Sequence, residues 1–318
     1  GRSSFMKRTT SEKHNLFEET RKTTIAACIQ SLGEKAKDNI SWLISSKSMV
    51  IIDGQYRDRA IWAADLFVAG PAAAKFLPSG RTAWRNSLIV LGNKQYPNGR
   101  LPACLSLNLK YRILSPYFDT YGLWWLLSVD NYIQRTNDKK FTDWFLPVFQ
   151  KLFGYYQSRT DNDGLLVTRW PNLYWNWTIF RPRKSVLANA LFYQALKLAD
   201  KYSIRFLGNS PKSSQDKSKW QNQLKKFKKT FNQYFWSKKY NSYVNASEPK
   251  TVFLDANSVA VFSGLANENH RKITLQTLKK FETQFGPISY FGKPSHFTSW
   301  HQDIISPFAA YLYVLALR

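Results

Sequence analysis

Three carboxylates, two arginines and a tryptophan fall within thirteen residues, Asp53-Gly-Gln-Tyr-Arg-Asp-Arg-Ala-Ile-Trp-Ala-Ala-Asp65. Asp53 and Asp58 read as loop residues beside Gly54, and the stretch from Ala60 onward reads as a helix. If that helix starts near Asp58, then Asp58, Trp62 and Asp65 occupy i, i+4 and i+7 on one face. Two carboxyls can exchange protons with a glycosidic oxygen and a water, and an indole can stack on the apolar face of a sugar ring. A purely structural account competes with this one. Asp58 could cap a helix, Arg57 and Arg59 could pair with Asp53 and Asp65, and Trp62 could belong to the core.

Other residues invite the same comparison. The run Trp170-Pro-Asn-Leu-Tyr-Trp175-Asn-Trp177 puts three indoles into eight residues. Three indoles in one loop are hard to bury together, so a sugar-stacking wall competes with packing on a rim. Asp119 and Asp255 each precede a helical run, which makes helix capping their default role and sugar-hydroxyl binding the alternative. Trp124 and Trp125 have apolar neighbours on both sides and read as core. His14 and His270 read as exposed, and no spacing of metal ligands occurs.

Helices must position these groups. Periodicity predicts helices near 15–30, 60–77, 80–92, 119–136, 140–158, 185–203, 217–236, 254–266, 270–285 and 303–317. Strand character is confined to Ser48–Ile52, Gly164–Thr168 and Ser242–Asn245. The turns Thr136-Asn-Asp-Lys and Asn267-Glu-Asn-His join helices into αα-hairpins. Loops rich in Asp, Gly, Pro and aromatics recur at about the period of one hairpin: 53–65, 97–102, 115–125, 170–183, 253–257 and 295–307. Hairpins closed into a ring would gather these loops at one mouth, with helix N-termini pointing inward. The expected architecture is therefore all-α, a toroid of hairpins with minor short strands. It forms one domain over residues 15–318 behind a flexible basic tail, residues 1–14.

Composition narrows the partners. The 318 residues are 44% hydrophobic and 16% aromatic, enough for a large core. Lys and Arg number 46 against 21 Asp and Glu, a formal charge of +25. Nucleic acid is the first partner such charge suggests. The cations are spread along helix faces, however, and no zinc finger, RNA-recognition motif or P-loop is present. Acidic polysaccharide, an anionic cell wall or an anionic membrane surface suits the charge equally well. Cys28 and Cys104 are too few for a disulfide scaffold; one bridge and two buried thiols are both open. Sequons at Asn39, Asn176 and Asn245 are near chance frequency. No apolar run is long enough to span a membrane, and nothing reads as a signal peptide.

The chain resembles the six-hairpin glycosidases, in particular the α-L-rhamnosidase-like group. The resemblance rests on Asp53-Gly-x-x-Arg57-Asp58-Arg59-x-x-Trp62-x-x-Asp65, Ser115-Pro-Tyr-Phe-Asp119-Thr-Tyr, Leu187-Ala-Asn-Ala-Leu-Phe-Tyr193, Asp255-Ala-Asn-Ser-Val-Ala and Ile305-Ser-Pro-Phe308. The first of these is the most specific, and together they run in family order from about residue 15 to the last. The resemblance implies an (α/α)6 barrel that cleaves a glycosidic bond with inversion and needs no cofactor or metal. It implies Asp58 as the general acid, Asp53, Arg57 and Asp65 as shapers of the sugar site, and Trp62 as part of its wall. The family places a base, usually Glu, after a Trp in a Thr-rich segment. Here that segment is Phe297-Thr-Ser-Trp300-His301-Gln-Asp303, so His301 stands where Glu is expected. Asp303 could reach instead, although it is equally placed to cap the last helix.

Three functions are compatible with these residues. The first is a secreted inverting glycoside hydrolase acting on an oligo- or polysaccharide. The second is a barrel that has lost its base and binds an anionic glycan or matrix. The third is a uronate polysaccharide lyase on a related toroid, which would use His301 and the tyrosines but leave Asp53–Asp65 unexplained. The sequence fixes neither the sugar nor the oligomeric state.

Overall fold

The computed structural model describes residues 10–31, 48–54, 58–107, 118–168, 172–173, 179–180, 184–202, 214–245, 251–291 and 305–318. Ten helices run through these segments: α1 (Thr10–Ala27), α2 (Leu66–Phe76), α3 (Gly80–Gly92), α4 (Tyr121–Thr136), α5 (Lys139–Gln157), α6 (Val186–Lys201), α7 (Ser214–Phe235), α8 (Leu254–Phe262), α9 (Glu268–Lys279) and α10 (Pro307–Leu317). Ten strands of two or three residues lie between them: β1 (Ile29–Ser31), β2 (Met49–Ile51), β3 (Ala60–Trp62), β4 (Cys104–Ser106), β5 (Asn172–Leu173), β6 (Ile179–Phe180), β7 (Trp236–Ser237), β8 (Ser242–Tyr243), β9 (Val252–Phe253) and β10 (Tyr290–Phe291). They form five two-stranded antiparallel ladders: β1–β2, β3–β4, β5–β6, β7–β8 and β9–β10.

The helices alternate between an inner and an outer circle. α2, α4, α6, α8 and α10 pack on one another in that order, and each odd-numbered helix lies outside. Composition explains the division. α10 (PFAAYLYVLAL) carries no charged side chain and α2 only Lys75 at its end, whereas α7 puts its lysines on one side and Trp220, Phe227, Phe231 and Phe235 on the other. A helix that is apolar all round belongs inside, and an amphipathic one belongs at the surface.

The inner helices begin at one end of the molecule. Phe67 in the first turn of α2 lies 5.1 Å from Trp124 in the first turn of α4. Trp124 in turn meets Phe308 of α10 at 5.2 Å, and Phe67 meets Tyr311 of α10 at 6.3 Å, which closes the circle. Between α6 and α8 the bridge is the segment after β7. Asn245 accepts the Val186 N–H at 2.9 Å, and Asn257 of α8 holds Tyr243.

Side-chain clamps set the depth of each hairpin. Asn189, fully buried in α6, accepts the Leu166 N–H at 2.7 Å and donates to the Leu166 carbonyl at 3.1 Å. Asn257, fully buried in α8, treats Tyr243 the same way, at 2.9 and 3.0 Å. α3 holds β2 with Ser87, which accepts the Ile51 N–H at 2.8 Å, and with Asn86, which donates to the Met49 carbonyl at 3.0 Å. Gly70 lets α2 approach α3 closely. A Cβ there would lie 2.2 Å from the Trp84 indole, which itself donates to Ser128 of α4 at 3.0 Å.

Most predicted helices correspond to observed ones, including 80–92 at its full extent and Trp124 and Trp125 as core. Four readings need correction. The helix predicted over 60–77 begins only at Leu66, because Ala60–Trp62 pairs with Cys104–Ser106 as a strand. α1 already starts at Thr10, inside the stretch expected to be a tail. The last helix, predicted from 303, starts at Pro307 and is capped by Ser306, which accepts the Ala309 N–H at 3.3 Å. His270 is half-buried, stacked on Trp236 at 3.7 Å and 5°, and burial holds its pKa below the usual imidazole value.

Candidate active site

The Asp53–Asp65 segment is a turn followed by a strand. Asp53 organises it through backbone hydrogen bonds. One carboxylate oxygen accepts the Ala60 N–H at 3.0 Å, the other accepts the Asp58 N–H at 3.3 Å, and the Asp53 N–H donates to the Ala60 carbonyl at 3.0 Å. Arg59 completes the turn in the left-handed region with φ 51°. Asp58 is held by its backbone while its side chain stands exposed, with no hydrogen bond or ion pair to any described residue. Asp53 is therefore first a loop former, and Asp58 is the group the loop presents.

Strand pairing then fixes the wall. Trp62 lies opposite Cys104, and its half-buried ring meets Phe118 at 6.1 Å and Tyr121 at 5.7 Å, both edge-on. Edge-to-face rings of this kind brace one another by about 0.5–1.5 kcal/mol each. Asp65 occupies the N-cap position of α2 without a side-chain cap bond; its carbonyl accepts from Val68 and Ala69. The Cys104 thiol lies within the electrostatic reach of Asp53, Asp58 and Asp65. Burial, followed by the charges of Asp58, Asp53 and Asp65, pushes that thiol up to about 12. Burial and the charges of Asp53 and Asp65 also raise the Cys28 thiol. Neither cysteine is in a disulfide.

Asp119 sits between Phe118 and Tyr121 and is 3% exposed. Its carbonyl accepts the Tyr156 hydroxyl at 2.7 Å, and burial and the charge of Asp119 push that phenol well above its ordinary value. The N-cap of α4 is Thr120, so Asp119 is not the capping residue predicted for it. Asp255 is 1% exposed, lies inside the first turn of α8 and accepts the Ala256 N–H at 2.7 Å; the N-cap there is Phe253. Asp65, Asp119 and Asp255 thus mark the starts of three inner helices at the end where the Asp58 loop lies. Arg57, Trp170, Trp175, Trp177, Trp300, His301 and Asp303 lie outside the described residues. Phe118, Tyr121 and Cys104 were not predicted as neighbours of the site. Phe118 and Tyr121 flank Asp119 at i and i+3 around a helix start, a spacing that places both rings on one side.

Residues 21–286 match the bacterial α-L-rhamnosidase six-hairpin glycosidase domain. The chain belongs to that family. The fold of this six-hairpin domain is also that of several solved structures. A rhamnosidase from Klebsiella oxytoca with rhamnose bound superposes with a TM-score of 0.62 at 15% identity, over 94% of this chain and 51% of that one. A rhamnosidase from a Bacillus species gives 0.66 at 16%, over 98% and 28%. The neutral trehalase of Saccharomyces cerevisiae gives 0.56 at 12%, over 94% and 68%. The chain therefore spans about half of the first of these proteins and less of the second. No curated protein sequence matches it.

Proposed function

We propose that this six-hairpin domain hydrolyses an α-L-rhamnoside or a closely related glycoside with inversion, with Asp58 as the general acid. The observation that carries this reading is the Asp53 loop. Asp53 is engaged with two backbone amides, so the loop exposes one carboxyl, Asp58, beside the half-buried Trp62 ring. A general acid must reach the leaving oxygen, and a side chain without a partner among the described residues is able to do so. Trp62, braced by Phe118 and Tyr121, supplies an apolar surface for the sugar ring. Asp65, at the head of α2, is placed to accept sugar hydroxyls, and Asp119 and Asp255 mark the heads of α4 and α8 at the same end. Inversion also needs a base about 6.5–9.5 Å from the acid to activate water on the opposite face. The segment holding His301 and Asp303 is assigned that part, with Trp300, Trp175 and Trp177 as further wall residues and Arg57 as a sugar ligand.

His301 in the position where Glu is expected favours a second reading, a barrel that binds the glycan without cleaving it. One experiment separates the two. Wild type and Asp58→Asn are assayed on a chromogenic α-L-rhamnoside, and the anomer first released is followed by NMR. The proposal expects the β anomer from the wild type and a loss of roughly 10²–10⁴-fold in the variant. Full activity in Asp58→Asn removes the acid assignment. Rhamnose binding without turnover by the wild type establishes the second reading.

A further inference from the structure

We infer that the outer face of α7, continued by the β7–β8 turn, is a docking track for an acidic polysaccharide that runs up to the mouth of the barrel. The inference rests on the reading of that mouth as a sugar site.

The track begins with an unusual distribution of charge. Residues 218–245 contain seven lysines, Lys219, Lys225, Lys226, Lys228, Lys229, Lys238 and Lys239, and no Asp, Glu or Arg. Lys228 is committed to the fold: its ammonium donates to the Gly264 carbonyl at 2.7 Å, at the end of α8. Lys225, Lys226, Lys229 and Lys238 are exposed and have no ion pair with any described residue. Lys225 and Lys229 are four apart on the helix, and Lys226 and Lys229 three apart. Like charges at these spacings cost a helix a few tenths of a kcal/mol each. A solvated helix face calls for polar side chains but not for charges of one sign, and a polyanion accounts for the sign.

The opposite side of α7 makes this array rigid. Trp220 packs on Phe153 at 5.7 Å, Phe227 stacks on Tyr193 at 5.9 Å and 17°, and Phe231 lies 5.1 Å from Tyr243. The lysines therefore project from a fixed scaffold. At 1.5 Å per residue, Lys219 to Lys229 covers about 15 Å. The upper end meets the rim, where the Lys184 ammonium lies 4.6 Å from the Tyr234 ring centroid, just ahead of α6. Neighbouring α9 adds exposed Lys272, Lys279 and Lys280. Its acids are engaged. Glu268 lies 3.8–3.9 Å from Lys272 and Arg271, and Glu282 accepts the Tyr313 hydroxyl at 2.7 Å.

The side chains between the lysines favour polysaccharide over nucleic acid. Gln221, Asn222 and Gln233 are exposed amides suited to sugar hydroxyls. Among the described α7 aromatics only Tyr234 is exposed, and the Lys184 ammonium stands over its ring, which leaves no run of open platforms for successive bases. The α7 aromatics at 220, 227, 231 and 235 are buried, and Trp236 is covered by His270. The segment also has no arginine for bidentate phosphate contacts.

The test measures binding of polygalacturonate by affinity electrophoresis as salt rises from about 0.01 M to about 0.1 M, which shortens the screening length from about 30 Å to about 10 Å. Four proteins are compared: wild type, the triple variant Lys225→Gln, Lys226→Gln and Lys229→Gln, a charge-matched control with Arg81→Gln, Lys139→Gln and Lys140→Gln, and Asp58→Asn. Wild type, control and Asp58→Asn should bind alike and weaken with salt. The α7 variant should bind about tenfold more weakly, equal to about 1.4 kcal/mol. No binding by the wild type, equal losses in the α7 and control variants, or no loss in the α7 variant each overturns the track. Tighter binding of a duplex DNA oligonucleotide than of polygalacturonate at the same salt overturns the assigned partner. Because Asp58→Asn is scored for binding and hydrolysis separately, failure of the acid assignment and failure of the track give different results.

Discussion

Asp58 and Cys104 show opposite consequences of the same loop. The carboxyl is exposed, and the thiol is buried where the charges of three carboxylates reach it. A thiol pushed up to about 12 holds almost no thiolate near neutrality, and only the thiolate is nucleophilic. Native protein at pH 8 should therefore alkylate at Cys104 roughly 10³-fold more slowly than the urea-unfolded chain. Mass spectrometry of iodoacetamide-treated peptides reads the ratio, and equal rates would show the thiol to be accessible and ionised. The types and spacing of Asp53, Asp58, Trp62 and Asp65 were legible because they are local and chemically unusual. The roles within the group were not legible. Asp53 and Asp58 are the same residue type five positions apart, and only the direction of the Ala60 and Asp58 amides decides which is the clamp and which is presented.

At the scale of elements, the misread start of α2 has a simple cause. Ala60-Ile-Trp-Ala-Ala suits helix by propensity, and nothing in the segment reveals that Cys104–Ser106 lies alongside. A ladder partner some forty residues away overrides local preference. The two buried asparagines were visible only as parts of the runs Leu187-Ala-Asn189 and Asp255-Ala-Asn257; their pairing with Leu166 and Tyr243 required the fold. Asn257→Ala leaves the Tyr243 N–H and carbonyl without this side-chain partner in a buried site. Each such group costs about 1–3 kcal/mol, so the variant should lose roughly 2–4 kcal/mol in urea unfolding. A change below about 0.5 kcal/mol would mean that another group or water takes over the clamp.

For the whole molecule, the charge of +25 is the dominant long-range term. Self-repulsion disfavours the compact state, and salt screens it. The melting temperature at pH 7 should rise by several degrees as sodium chloride goes from about 0.01 M to about 0.15 M; a fall over that range would mean that attractive pairs such as Arg85–Asp138 outweigh the repulsion. The sequence by itself determined the helical class, most of the hairpins and the family, and it singled out Asp53–Asp65 as the candidate segment for chemistry, because periodicity, turn residues and short motifs are local properties. Tertiary structure alone decided which helices lie inside, which end holds their starts, and that Trp62, Phe118 and Tyr121 share one wall. It also decided that Asp119 and Asp255 are buried at helix heads instead of capping them. Those facts depend on contacts between residues far apart in the chain, and the side-chain packing that selects them is set only when the circle of hairpins closes.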